Sequence, residues 1–200
     1  LLLACAVQME CHFVFRSLLG SADECGDTGV IKSGDRQCLL GLVDALGHGR
    51  KAHDTAMLAR DYIERNFREN LVPLMEGMHE ALKGSAGAVA SLCRLDIDTG
   101  RLVHTGIGNI TVKVLGARPL TMVSRDGIIG FQIPSPRKQE TTLIPGDVLI
   151  MHSDGIRENI SQLEMMSLLN GTAKEIAARL LEKFGKKDDD ASCIILRVLK

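Results

Sequence analysis

Four acidic loci hold the groups in this 200-residue chain that could do chemistry. Asp27 closes Glu24-Cys25-Gly26-Asp27, and Asp44 follows the apolar run Leu39-Leu40-Gly41-Leu42-Val43. Asp154 follows Val148 to Ser153 and precedes Gly155, while Asp188-Asp189-Asp190 stand just before Ser192-Cys193-Ile194-Ile195. Each lies in a loop against the end of a strand-like run. A single aspartate there would ordinarily cap a helix or make an Asx turn; four recurrences point to a shared site. Carboxylates crowded at strand ends repel one another, and a hard divalent cation with oxygen ligands is the usual neutraliser. No cysteine or histidine cluster competes for a softer metal, so magnesium or manganese, octahedral and partly water-ligated, is the expected ion. Two such ions roughly 3.5–4 Å apart can activate a water and clamp both oxygens of an in-line phosphoryl displacement.

The segment Val43-Asp44-Ala45-Leu46-Gly47-His48-Gly49 sharpens this expectation. A strand must turn abruptly into a helix there, and two glycines let the backbone approach an ion or phosphate. The helix N-terminus that follows adds a dipole favourable to an anion. His48 is a candidate to protonate a leaving oxygen, set against plain packing at the helix start. His152 shares a strand face with Asp154 and reads equally as a core histidine. Ser85, Ser124 and Ser153 have no recognisable His–Asp partner, which argues against covalent serine catalysis. The eight methionines are scattered like core filler.

The elements that must position these groups follow from period and punctuation. Strands are expected over Leu3–Phe15, Thr28–Lys32 and Cys38–Val43, the last two joined by the hairpin signal Ser33-Gly34-Asp35-Arg36. Ala52, Ala56, Ala59, Ile63 and Phe67 recur at helical spacing and predict a helix from Lys51 to Phe67. A second helix covers Val72–Leu82, with Pro73 in its first turn. Strands return over Ala86–Asp96, Arg101–Gly106, Ile110–Leu115, short pieces near Leu120 and Ile128, Glu140–Ile144 and the doubly buried run Asp147–Ser153. Helices over Ser161–Leu169 and Ala173–Phe184 and a strand over Ser192–Leu199 complete the pattern. Strands, two helices, strands, two helices and a strand predict two packed sheets with helices outside, in one domain spanning residues 1–200.

A formal net charge of -1 from 24 basic and 25 acidic residues gives no field for nucleic acid or anionic lipid. The apolar stretch Leu1–Val7 is too short to cross a bilayer and reads as a buried strand. Since the sequence does not begin with methionine, nothing hangs on its first residues. Six cysteines, at 5, 11, 25, 38, 93 and 193, stand singly in mostly apolar surroundings, as reduced core thiols in a cytoplasmic protein would.

Taken in order, Cys25-Gly26-Asp27, Asp44-Ala45-Leu46-Gly47-His48-Gly49, Gly106-Ile107-Gly108-Asn109, His152-Ser153-Asp154-Gly155 and Asp189-Asp190-Ala191-Ser192 resemble the bacterial branch of the metal-dependent (2C-type, PPM) protein phosphatases. That branch includes sporulation and general-stress enzymes. The resemblance implies an α+β, four-layer α-β-β-α sandwich of two antiparallel sheets flanked by helix pairs, with two manganese or magnesium ions at one edge. It also implies that Asp44 bridges both ions, helped by the Ala45 carbonyl, that Asp154 and Asp189 complete one ion, and that Asp27 holds the other directly or through water. Spacing to Ala191-Ser192 favours Asp189 over Asp190, the second choice. Asp44, Asp154 and His48 would be the catalytic residues. The implied substrates are phosphoserine or phosphothreonine on STAS-domain proteins of a stressosome, with no nucleic acid or membrane partner and the enzyme a monomer or weak dimer. The chain departs from eukaryotic relatives, where glycine and histidine follow the bridging aspartate; here Ala45 and Leu46 stand there. Their phosphate-binding arginine has no counterpart before Asp27, where Ser21-Ala22-Asp23 stands. These gaps keep open a degenerate fold used as a binding or regulatory module. A receiver-type α/β domain with Asp44 as phosphoacceptor conflicts with the runs of consecutive strands.

Overall fold

The hairpin turn at Ser33–Arg36 sets the first register on which the site depends. It joins β2 (Asp27–Ser33) to β3 (Gln37–Ala45) with Ser33 opposite Cys38, so counting back along both strands brings Asp27 directly opposite Asp44. The computed structural model describes residues 7–34 and 36–199. β3 continues antiparallel to β4 (Ala88–Asp96), then β5 (Arg101–Ile107) and β8 (Gln139–Thr142), giving one five-stranded sheet ordered β2-β3-β4-β5-β8. The other sheet is ordered β1-β10-β9-β6-β7, from β1 (Met9–Arg16), β10 (Ala191–Val198), β9 (Val148–His152), β6 (Thr111–Leu115) and β7 (Leu120–Met122).

Side-chain alternation along each strand sorts the core into three apolar layers. Leu40, Leu42, Leu149, Met151, Ile194 and Leu196 fill the space between the sheets. On the outer face of the β2–β8 sheet, Val43, Ala90 and Leu92 pack against α1 (Arg50–Arg65) and α2 (Leu71–Ala81). On the outer face of the other sheet, Val148, Ile150 and Ile195 pack against α3 (Gln162–Leu168) and α4 (Ala173–Phe184). This is the expected four-layer α+β sandwich. The doubly buried reading of β9 holds because its alternate residues serve two different layers.

α1 presents Ala52, Ala56, Ala59 and Ile63 to the sheet, small residues that allow close approach. It stops two residues short of Phe67, whose half-buried ring still packs against this layer, with the Lys32 and Arg68 cations over it at 5.9 and 5.5 Å. α3 and α4 both open on capping boxes, Ser161 with Glu164 and Thr172 with Glu175, which satisfy otherwise free amides at each start. Two expectations need correcting. The first strand is an edge strand with half-buried side chains, beginning at Met9, because only β10 flanks it; its expected start at Leu3, the run from Leu1, and Cys5 fall outside the described residues. Met166 is 56% exposed on the outer side of α3, so it fills no core. The five described cysteines are free thiols.

Candidate metal centre

At one edge of the sandwich, strand ends from both sheets deliver the acids. Asp27 and Asp44 come from the adjoining strands β2 and β3, Asp154 follows β9, and Asp189 precedes β10. Asp44, Ala45, His48, Asn109, Asp154 and Asp189 line one cavity of about 430 Å³, together with Asp126 and Gly127. Asp27 lies behind this wall, 4% exposed, opposite Asp44 in the ladder. Sequence positions as far apart as 44, 109, 154 and 189 thus meet in one place.

Backbone contacts hold the Asp44 loop. The Ala45 amide donates to the Gly26 carbonyl at 3.0 Å, the Leu46 amide to Gly87 at 2.9 Å, and the Gly49 amide to Glu24 at 3.1 Å. Gly47 and Gly49 take φ of +89° and +76°, the left-handed conformations that let β3 turn into α1. Behind Asp154, Gly155 packs against the start of β10: a Cβ there would lie 1.8 Å from the Asp190 carbonyl oxygen, so a side chain would push the two strand ends apart.

The electrostatics are those of an uncompensated acid cluster. Burial, then the charges of Asp27, Asp154, Asp189 and Asp190, push the Asp44 carboxyl up to about 9. Burial raises Asp27 to about 6, opposed by hydroxyls from Ser153 and Ser192. Asp189 is raised by burial and then by the Asp154 charge. A divalent cation reverses this cost by giving each carboxylate an opposite charge. The donor set fits a hard ion: carboxylates, a nearby backbone carbonyl and an open cavity. Among the described residues no three His, Cys, Asp or Glu side chains enclose an ion by themselves.

Hydrogen bonds separate the acids by role. Asp190 is buried, and its two oxygens accept the Leu18 and Gly26 amides, each at 2.7 Å. It is a clamp between the β1–β2 connection and the head of β10. Asp189 lines the cavity and Asp190 does not. The Asp154 Oδ2 accepts Asn109 Nδ2 at 2.8 Å, Asp27 Oδ2 accepts the Ser153 hydroxyl at 2.6 Å, and Asp189 Oδ1 accepts the Asp190 amide at 2.9 Å. Asp44 accepts no side-chain or backbone donor among the described residues.

The other candidates divide. His48 is exposed on the cavity wall. His152 is buried and bonds through Nδ1 to the Ser153 carbonyl at 2.9 Å, while its Nε2 is buried with no partner among the described residues. Glu24 stays off the cavity wall and contributes its backbone carbonyl to the loop. Sequence reasoning passed over Asp126, although Asp126-Gly127 repeats the Asp-Gly pairing of Asp154-Gly155.

This architecture is that of the PP2C phosphatases. The domain of SpoIIE from Bacillus subtilis, solved with a fragment of its regulatory domain, superposes with a TM-score of 0.80 at 16% identity, covering 96% of this chain and 64% of that one. A chain solved in work on the bacterial stressosome as a modular system controlling secondary messenger signalling gives 0.88 at 32% identity, covering 95% and 100%. RsbX in complex with magnesium gives 0.81 at 20%, covering 96% of each chain. In sequence, the phosphoserine phosphatase RsbX of Bacillus subtilis (strain 168) is 24% identical over 174 residues, 86% of both chains. The family model for Stage II sporulation protein E (SpoIIE) matches residues 34–199, and the chain belongs to that family. It is a serine/threonine protein phosphatase of the metal-dependent class.

Proposed function

We propose that this phosphatase removes phosphate from serine or threonine of STAS-domain proteins in a stressosome, as a negative-feedback enzyme, with two magnesium or manganese ions in the acidic cavity. The observation that carries the metal reading is the convergence of Asp44, Asp154 and Asp189 on one cavity wall. The substrate reading draws on the likeness to RsbX and to the chain solved in work on the stressosome.

In this reading Asp44, which accepts no hydrogen bond among the described residues, would bridge the ions with help from the Ala45 carbonyl. Asp154 and Asp189 would complete one ion and Asp27 would hold the other, directly or through water, while Asp190 keeps the loops in place. The ions would supply an activated water and neutralise phosphoryl oxygens. Among the described residues no arginine or lysine lines the cavity, so the phosphate would be held through the cluster itself. His48, exposed on the same wall, is the candidate to protonate the departing seryl or threonyl oxygen. Five free thiols suit a reducing, cytoplasmic setting, and among the described residues no helix is long and apolar enough to span a membrane.

The test is to offer purified protein a phosphorylated STAS-domain protein with and without manganese, then map which residue loses phosphate. Manganese-dependent release from a serine or threonine is expected. Turnover of a generic aryl phosphate without turnover of the STAS protein would reject the substrate, and full activity of Asp44→Ala would reject the site.

A further inference from the structure

The three pinned carboxylates differ in their donors. Asp189 is held by the amide of its own neighbour, whereas Asp27 and Asp154 are held by side chains from other segments. Ser153 is fully buried at the end of β9. Its Oγ accepts the Ser192 amide at 3.1 Å, which leaves its own proton to go to Asp27 Oδ2 at 2.6 Å. The backbone amide of one sheet thus orients a hydroxyl that grips a carboxylate of the other. Asn109, at the Gly108-Asn109 turn before β6, gives its amide to Asp154 Oδ2 at 2.8 Å. A carboxylate with one oxygen committed in this way presents the other, in a fixed orientation, to the cavity.

We infer that Ser153 and Asn109 are positioning residues that commit one oxygen of Asp27 and Asp154, so that each acid offers a single oxygen to the ions and bridging is left to Asp44. This rests on the proposed dinuclear site. It gives Ser153 a role other than that of a nucleophile, and it gives a task to the Gly106-Ile107-Gly108-Asn109 motif. Neither residue touches substrate in this assignment. Asn109 also contributes no charge; an aspartate in its place would set a further carboxylate beside Asp154 and repel it.

Calorimetric titration of the full chain with manganese chloride, paired with melting curves in EDTA, tests the inference. N109A is expected to weaken manganese binding about 10–100-fold while melting in EDTA at the parent temperature, because the amide is exposed. S153A is expected to weaken binding similarly, and S153T, which restores the hydroxyl, to recover most of it. Should S153A fail to fold, N109A decides. N109A or S153A binding manganese as tightly as the parent would overturn the inference while leaving the site standing. Failure of the unsubstituted chain to bind manganese at millimolar concentration would instead overturn the dinuclear reading, and the inference with it.

Discussion

The two halves of the acid cluster are built differently. Asp27 and Asp44 sit inside adjacent strands, opposed in register, Asp27 buried and Asp44 half-buried on the cavity wall, with carboxyls pushed up to about 6 and about 9. Asp154 and Asp189 sit in loops beyond strand ends, half-buried and wet. Like charges placed directly opposite in an antiparallel pair are destabilising, so the strand half stores electrostatic cost and the loop half adds ligands at little cost. A cation that binds both relieves the first through the second.

The sharpest break in that comparison is Asp44→Ala. It removes the carboxylate proposed to bridge the ions, and phosphate release is expected to fall at least about a thousandfold, a loss of roughly 4 kcal/mol in the transition state. Asp154→Ala should approach it. Next comes the contrast of neighbours. Asp189→Ala should abolish most activity and leave the metal-free melting temperature nearly unchanged. Asp190→Ala strands two buried amides and should cost about 2–4 kcal/mol of stability, read by urea denaturation.

The strand half also predicts a pH dependence. Unfolded aspartates titrate near 3.9; with folded values near 6 and 9 for Asp27 and Asp44, the folded chain holds protons that the unfolded chain has released. Metal-free stability should therefore fall as pH rises from about 4 through 9. Melting in EDTA should show that fall between pH 5 and 8, Asp44→Asn should flatten it, and saturating manganese should remove it. The smallest effect expected is that of His48→Ala, about a hundredfold on a phosphoserine peptide and none on p-nitrophenyl phosphate, whose leaving group needs no proton.

Much of this was legible beforehand. Apolar runs and glycine-rich turns gave nearly every strand and helix, and the recurrence of aspartates at strand ends gave the cluster. The preference for Asp189 over Asp190 came from spacing; in the structure Asp189 lines the cavity while both Asp190 oxygens accept amides. The facing of Asp27 and Asp44 could have been counted from the Ser33–Arg36 turn, because register propagates down a hairpin. The clasp on Asp27 could not, since Ser153 reaches it across the two sheets and no periodicity reports contacts between residues 126 positions apart. Asp126 escaped for a related reason: it lies in an irregular segment where no strand end marks it.

β10 lies between β1 and β9, and its head brings Asp189, the Asp190 clamp and the Ser192 amide. In folding, the sheet that holds Asp154 cannot close around its middle until this late strand inserts, a non-local step that is slow by topology. One strand thus ties the two sheets to the cluster: without β10, Asp189, the Asp190 clamp and the amide that orients Ser153 would be lost together.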